Sequence, residues 1–154
     1  MKARKRIRAG FTLVEILIVV VILGILAAIV IPQFTSASEA AKGSSVVTQL
    51  QTIRAQLELY QIQHNGDYPT LAQMFVNLTT ETEVDGSAGD ASGNEFGPYV
   101  QQAPNNPFTL GSTVAADNSG DWEYTAATGG IRAVLDAAKI TELNLSAIDA
   151  VAAP

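Results

Sequence analysis

Residues 8–32 of the chain read RAGFTLVEILIVVVILGILAAIVIP, a stretch made up mostly of apolar residues. Residues 16–31 form a run of sixteen without a polar side chain. Extension back to Phe11 gives twenty-one residues, interrupted only by Thr12 and Glu15. At about 1.5 Å per residue, a helix of that length spans roughly 30 Å, the thickness of the hydrocarbon core of a bilayer. The stretch therefore predicts a membrane-spanning helix.

The residues ahead of this run are basic. Five of the nine cationic residues lie in the first eight positions: Lys2, Arg4, Lys5, Arg6 and Arg8. Such a cluster stays on the cytoplasmic side, so the rest of the chain is expected to be translocated. Three interpretations are open at this point. The segment is a cleaved secretory signal, with Thr35, Ser36 and Ala37 at the cleavage site, or a plain anchor, or something more specific.

Glu15 favours the third interpretation. A carboxylate inside a membrane segment costs about 2.5–3.5 kcal/mol, and neither a disposable signal nor a simple anchor has a use for it. An ionisable residue in such a place indicates a function, and a compensating charge is expected near it.

The N-terminal stretch resembles that of the type IV pilins and the type II secretion pseudopilins. The resemblance lies in a short basic leader that ends in Gly10, then Phe11, with Glu15 as the fifth residue after the glycine. It implies that a prepilin peptidase cuts between Gly10 and Phe11 and methylates the new amino group of Phe11.

The resemblance also implies a role for Glu15 in assembly. Cleavage creates a cationic amine on Phe11, and a charge pair between subunits would offset part of the desolvation of both groups. The alternative is a carboxylate that reaches the cytoplasmic interface without any partner.

Composition excludes several other functions. Without its first ten residues the chain has four cations against fifteen acids, a net charge of −11, which disfavours nucleic-acid binding. No cysteine is present, so disulfides, thiolate metal sites and a cysteine nucleophile are excluded. The single histidine and the lack of a catalytic motif indicate that the chain is not an enzyme.

Apolar residues spaced by four and three continue the helix beyond Pro32: Val46, Leu50, Ile53, Leu57 and Tyr60. The helix is expected to end at residues 64–66, where Asn65 and Gly66 supply a left-handed cap. Pro32 predicts a kink, because it lacks the N–H that would bond the carbonyl of Ala28.

Four segments follow from these features. Residues 1–10 are the leader, 11–32 the membrane and filament-core half of the helix, 33–65 its amphipathic half, and 66–154 a small head. The fold class predicted is α+β, a long helix packed on a small antiparallel sheet.

Three elements of the head are predicted locally. Residues 71–78 read as a short helix, and residues 122–125 and 131–134 as a hairpin whose Trp122 and Tyr124 share a buried face. Residues 97–99 and 104–108 resemble segments of the major pseudopilins, and Pro104 and Pro107 preclude a central strand there. The tail after Leu135 fits no element.

A calcium site is a further expectation, because the related pseudopilins bind calcium in a C-terminal loop. Asp117 and Asp121 are the candidate ligands, with Asn118 between them. The loop of residues 85–95 is acidic too, but its spacing is not that of an EF-hand, and we interpret it as a solvated loop.

Taken together, the resemblance and the absence of cysteine predict a structural subunit of a type II secretion pseudopilus. The alternatives are a type IV pilus subunit for attachment, motility or DNA uptake, and a monomeric anchored binding module. The expected partners are further copies of the chain, a prepilin peptidase, an inner-membrane assembly platform and minor pseudopilins. The expected location is the inner membrane, with a cytoplasmic leader and a periplasmic head.

Overall fold

The computed structural model describes residues 10–90, 93, 95–147 and 149–154. The predicted leader lies outside the described residues except for Gly10. The chain forms two units, one up to Ser38 and one from Glu39 to Pro154. Helix α1, Leu13–Gln63, has residues in both units.

Helix α1 ends where the sequence predicts. Asn65 and Gly66 follow it with φ angles of 56° and 93°. The Gly66 N–H donates to the carbonyl of Gln61 over 2.9 Å, which satisfies one of the last helical acceptors. The helical backbone continues through Pro32, so the kink expected at this residue stays a prediction.

The apolar stripe of α1 forms one wall of the core. All five residues of the predicted stripe are buried: Val46, Leu50, Ile53, Leu57 and Tyr60. They pack in one cluster with Trp122 and Tyr124 from the sheet and with Met74 and Leu78. The two aromatic residues of the predicted hairpin are therefore core residues, as expected.

The sheet of the head has four strands in the order β1 (Val114–Ala115), β2 (Trp122–Thr125), β3 (Gly130–Leu135) and β4 (Ala150–Ala152). Strands β2 and β3 pair antiparallel, which confirms the predicted hairpin. The β1–β2 and β3–β4 pairs are parallel, so the sheet is mixed rather than wholly antiparallel.

The second parallel pair arises from the tail that the sequence left unassigned. Helix α3, Ala137–Glu142, follows β3, and its N-terminus is capped by Asp136, whose carboxylate accepts from the Ala138 N–H over 2.7 Å. The connection from β3 to β4 contains α3 and returns the chain so that β4 lies parallel to β3.

The predicted helix of residues 71–78 consists of a 3-10 turn, Leu71–Gln73, followed by helix α2, Met74–Thr79.

A buried asparagine organises the segment between α2 and the sheet. The amide nitrogen of Asn106 donates to the carbonyls of Asp121 and Val134, each over 2.9 Å. Its side-chain oxygen accepts from the Phe108 N–H over 3.0 Å. Because Asn106 is fully buried and bonded on both sides, it fixes the loop that precedes β1.

Candidate functional site

The first turn of α1 contains a capping box. The Glu15 N–H donates to Oγ1 of Thr12 over 3.2 Å, and Oε2 of Glu15 accepts from the Thr12 N–H over 2.8 Å. The Thr12 hydroxyl also donates to Oε2 over 3.0 Å. Two N–H groups that have no partner in the helix are thereby satisfied within one chain.

Sequence analysis assigned a role to Glu15 but missed Thr12. A Thr followed three residues later by Glu ahead of an apolar run is the signature of a capping box, so the signal was available. Both hydrogen bonds that the carboxylate accepts from Thr12 are to Oε2, so the cap does not use Oε1. Glu15 can therefore cap its own helix and meet a second charge.

The apolar half of α1 is not covered by any other part of the described chain. The large hydrophobic side chains from Phe11, just before the helix, to Phe34 are all exposed, from 40% at Val30 to 84% at Phe11. The helix is long and apolar enough to cross a membrane by length and composition. An apolar surface of this extent requires lipid or other protein chains around it.

Within the second unit, the C-terminal segment of the chain contacts the part of α1 that begins at Glu39. Lys139 forms ion pairs with Glu39 and Glu142. The side chain of Leu143 packs against Gly43, where an added Cβ would lie 3.1 Å from Cδ1 of Leu143. These contacts fix α3 and the turn after it on the start of the amphipathic half of the helix.

A second ion pair joins α1 to the tail. Nη1 of Arg54 donates to Oδ1 of Asp149 over 2.9 Å, and Nη2 donates to the carbonyl of Ile131 over 2.8 Å. The hydrogen bond from Arg54, with another from Ser146, lowers the pKa of Asp149 below its ordinary value. The pair thus ties helix, sheet and tail together.

The lone histidine is a core residue. His64 is buried, its ring stacks on that of Tyr60 with centroids 3.6 Å apart, and its Nδ1 donates to the Tyr60 carbonyl over 2.8 Å. Nε2 lies 3.0 Å from Oγ1 of Thr82. Burial raises the pKa of Tyr60. Both ring nitrogens are engaged, so the group supports the end of α1 rather than a reaction.

Each of the two predicted calcium ligands already accepts hydrogen bonds from a neighbouring residue. Oδ1 of Asp117 accepts from the N–H of Ser119 over 3.1 Å and from its hydroxyl. Oδ2 of Asp121 accepts from the N–H and the hydroxyl of Thr113 over 2.8 and 2.6 Å. Carboxylate oxygens suit calcium, but here a cation would have to displace or share these donors. The ligand assignment stays a prediction.

A different set of carboxylates lies close together. One oxygen from each of Glu83, Asp90 and Glu95 lies within 4.8 Å of the others. Two of these residues belong to the loop that the sequence indicated to be solvated. The sequence analysis did not single them out, because their spacing of seven and five residues matches no metal-binding motif.

Two known protein families match successive parts of the chain. Residues 5–31 match the family described as the prokaryotic N-terminal methylation motif. Residues 33–121 match the family described as type II secretion system (T2SS), protein G.

Curated relatives agree with this match. The chain is 33% identical to the type II secretion system core protein G of Aeromonas hydrophila and 36% identical to that of Pseudomonas aeruginosa, with 68% of this chain and 71% of each relative covered. The protein of the same name from Dickeya chrysanthemi is 39% identical, with 68% of this chain and 65% of that protein covered. No solved structure gives a significant match.

Proposed function

Because the chain belongs to the type II secretion system protein G family, the major pseudopilins, we propose that it polymerises through its apolar N-terminal helix into a pseudopilus that supports protein export. One observation carries this proposal. The aliphatic side chains of residues 11–34 are all exposed in the single chain, so their transfer from water can drive insertion into lipid and their close packing against neighbouring helices can drive assembly. The family is structural, and the chain is accordingly not an enzyme.

The relatives distinguish this function from the alternatives. A type IV pilus subunit would share the N-terminal motif, but the match of residues 33–121 is to the secretion family. A monomeric anchored binding module gives no reason for a carboxylate, that of Glu15, within its membrane span.

Maturation is the first step that we assign to named residues. A prepilin peptidase would cut between Gly10 and Phe11 and methylate the amine of Phe11. The match of residues 5–31 to the N-terminal methylation motif supports this step. In the structure Gly10 and Phe11 precede the helix, which begins at Leu13, so the bond between them lies in non-helical, exposed backbone.

Assembly is the second step. The amine that cleavage creates on Phe11 and the carboxylate of Glu15 would share one depth in the bilayer. In a filament, Oε1 of Glu15 would accept the amine of a neighbouring copy while Oε2 retains the cap from Thr12. The charge pair offsets the desolvation of both groups and sets the register of the incoming subunit.

The expected topology places the leader in the cytoplasm, α1 in the inner membrane and the head in the periplasm. The basic cluster ahead of the apolar run supports this orientation. The remaining partners are then a peptidase with its active site on the cytoplasmic face, an inner-membrane assembly platform and minor pseudopilins.

Calcium at Asp117 and Asp121 is a further part of the proposal. The two carboxylates and Asn118 lie in the connection between β1 and β2, and such oxygen ligands are those that calcium prefers. Hydrogen bonds to Ser119 hold the pKa of Asp117 below its ordinary value, so this group is ionised at neutral pH.

The test is complementation in a host whose own major pseudopilin gene is deleted. The full chain, expressed with its cognate secretion components, should restore export of a secreted substrate and give fibres that can be sheared from cells. The proposal would be overturned if export occurred without the chain. It would also be overturned if the chain formed fibres that retract as pili do while export stayed absent.

A further inference from the structure

Two exposed aliphatic side chains lie on the outward side of α1 in the head. Leu59 is 42% exposed and Ile62 79% exposed, whereas Leu57 and Tyr60 beside them are buried. Residues three apart share one side of a helix, so the two side chains form one apolar surface. We refer to Leu59 and Ile62 as the ridge.

The head also has an open apolar cleft beside α2. Its volume is about 450 Å³, and it is lined by Leu71, Ala72, Phe75, Val76, Ser112 and Val114. Among the described residues, none that line it is charged. Val76 is half exposed at its edge. We refer to this set as the cleft.

A strained residue stands two positions before the cleft residue Ser112. Leu110 has a φ of 62° and is 78% exposed. A left-handed conformation is strained in a bulky residue, and such strain concentrates at functional sites. The Leu110 N–H donates to the carbonyl of Asn106 over 2.8 Å, so the buried asparagine fixes the loop that holds this side chain in solvent.

In the proposed filament, a second copy of the chain is the partner available to these surfaces. An open filament needs a heterologous interface, in which two different patches of each copy meet. After Gly10 the chain has fifteen acids and four cations, and Arg54, Arg132 and Lys139 already form ion pairs within the chain. Acidic surfaces of identical copies repel, so close approach favours uncharged apolar patches.

We propose that the ridge of one subunit packs into the cleft of a second copy, with Leu110 as part of the receiving surface. The inference rests on the proposed function, because it takes polymerisation as given. It adds a contact between heads to the packing of the apolar helices, and it names the two patches that meet.

Cysteine cross-linking tests the contact directly, since the native chain has no cysteine. The full chain with Ile62→Cys and Val76→Cys together, assembled with the secretion components and treated with a thiol cross-linker, should give a ladder of dimers and higher multimers in sheared fibres. Each single variant is the control and should give none. Wild-type-like fibres of the double variant without a ladder would overturn the contact. Absence of fibres from the wild-type chain would instead count against the proposed function.

Leu110→Asn separates assembly from folding. Asn tolerates a left-handed φ better than Leu, so the melting temperature of the detergent-extracted full chain should hold or rise. Loss of the aliphatic contact should lower fibre yield by about tenfold, the scale of burying one such side chain. Ile62→Gln should act in the same way. Normal fibre yield in both variants, or a fall in melting temperature that accounts for the loss, would refute the proposal.

Discussion

Glu15 takes part in two interactions that a matched set of variants can separate. Its Oε2 completes the capping box with Thr12, and its charge is proposed to meet the amine of a neighbouring subunit. Glu15→Gln keeps an acceptor for the cap and removes the charge, because Gln also serves in capping boxes. Glu15→Ala removes both. Thr12→Val removes the cap and keeps the charge, and Thr12→Ser is its control.

The two interactions differ in size. Loss of an N-cap costs about 1 kcal/mol, which corresponds to about a fivefold effect. Removal of one partner from a desolvated charge pair costs about 3–5 kcal/mol, a loss of about a hundredfold or more. We therefore expect both Glu15 variants to reduce fibre formation at least a hundredfold, and Thr12→Val to reduce it about fivefold at most.

Insertion should not suffer from the loss of Glu15. An ionised carboxylate in the membrane segment costs about 2.5–3.5 kcal/mol, so the level of membrane-inserted monomer should hold or rise. The assay quantifies sheared fibres, the membrane fraction and the N-terminal mass of each variant in the same cells. If Glu15→Gln assembles like the wild type while Glu15→Ala and Thr12→Val fail, the cap is what matters and the charge-pair mechanism is wrong.

Three further outcomes are expected. The intact mass of the membrane-extracted protein should show loss of residues 1–10 and one added methyl group on Phe11. The variant Gly10→Leu should leave the precursor uncut. A mature protein that retains Met1, or that starts near Ser38, would contradict this cleavage. Millimolar calcium should raise the melting temperature of the full chain in detergent, and Asp121→Asn should abolish the rise, whereas no shift in the wild type would remove calcium from the account. Arg54 lowers the pKa of Asp149, so the ion pair contributes its full stabilisation of the head at any pH above the ordinary aspartate pKa of about 3.9. This stabilisation is lost as the pH falls through the lowered pKa of Asp149. Urea denaturation should therefore show that the deficit of Asp149→Asn at pH 7 narrows in acid, and a deficit that is independent of pH would contradict the ion pair.

The long helix and the family could be predicted because their signals are local. An uninterrupted apolar run, a glycine and phenylalanine ahead of it, and a stripe spaced by four and three each depend on residues close in sequence. The same holds for the β2–β3 hairpin, whose turn lies between the two strands. The cap between Thr12 and Glu15 was equally local, and was missed only because the cost of Glu15 in the membrane took precedence.

The mixed sheet and the contacts of the tail depend on pairings between residues that are distant in sequence. Strand β4 pairs with β3 across a connection that contains α3, and its three residues carry too little periodicity to identify a strand. The carboxylates of Glu83, Asp90 and Glu95 lie close together because Thr82 forms β-bridges with both Ala88 and Phe96, which are distant from it in sequence.

Leu110 illustrates the same difference between what local sequence indicates and what the packed head imposes. The sequence determines that it is aliphatic, but its left-handed backbone and exposure follow from the hydrogen bonds of buried Asn106 to Asp121 and Val134, which are distant in the chain. Local periodicity fixes which segments are helical and which faces are apolar. Pairings between distant segments depend on the free energy of the whole packed head, and no short window of sequence contains it.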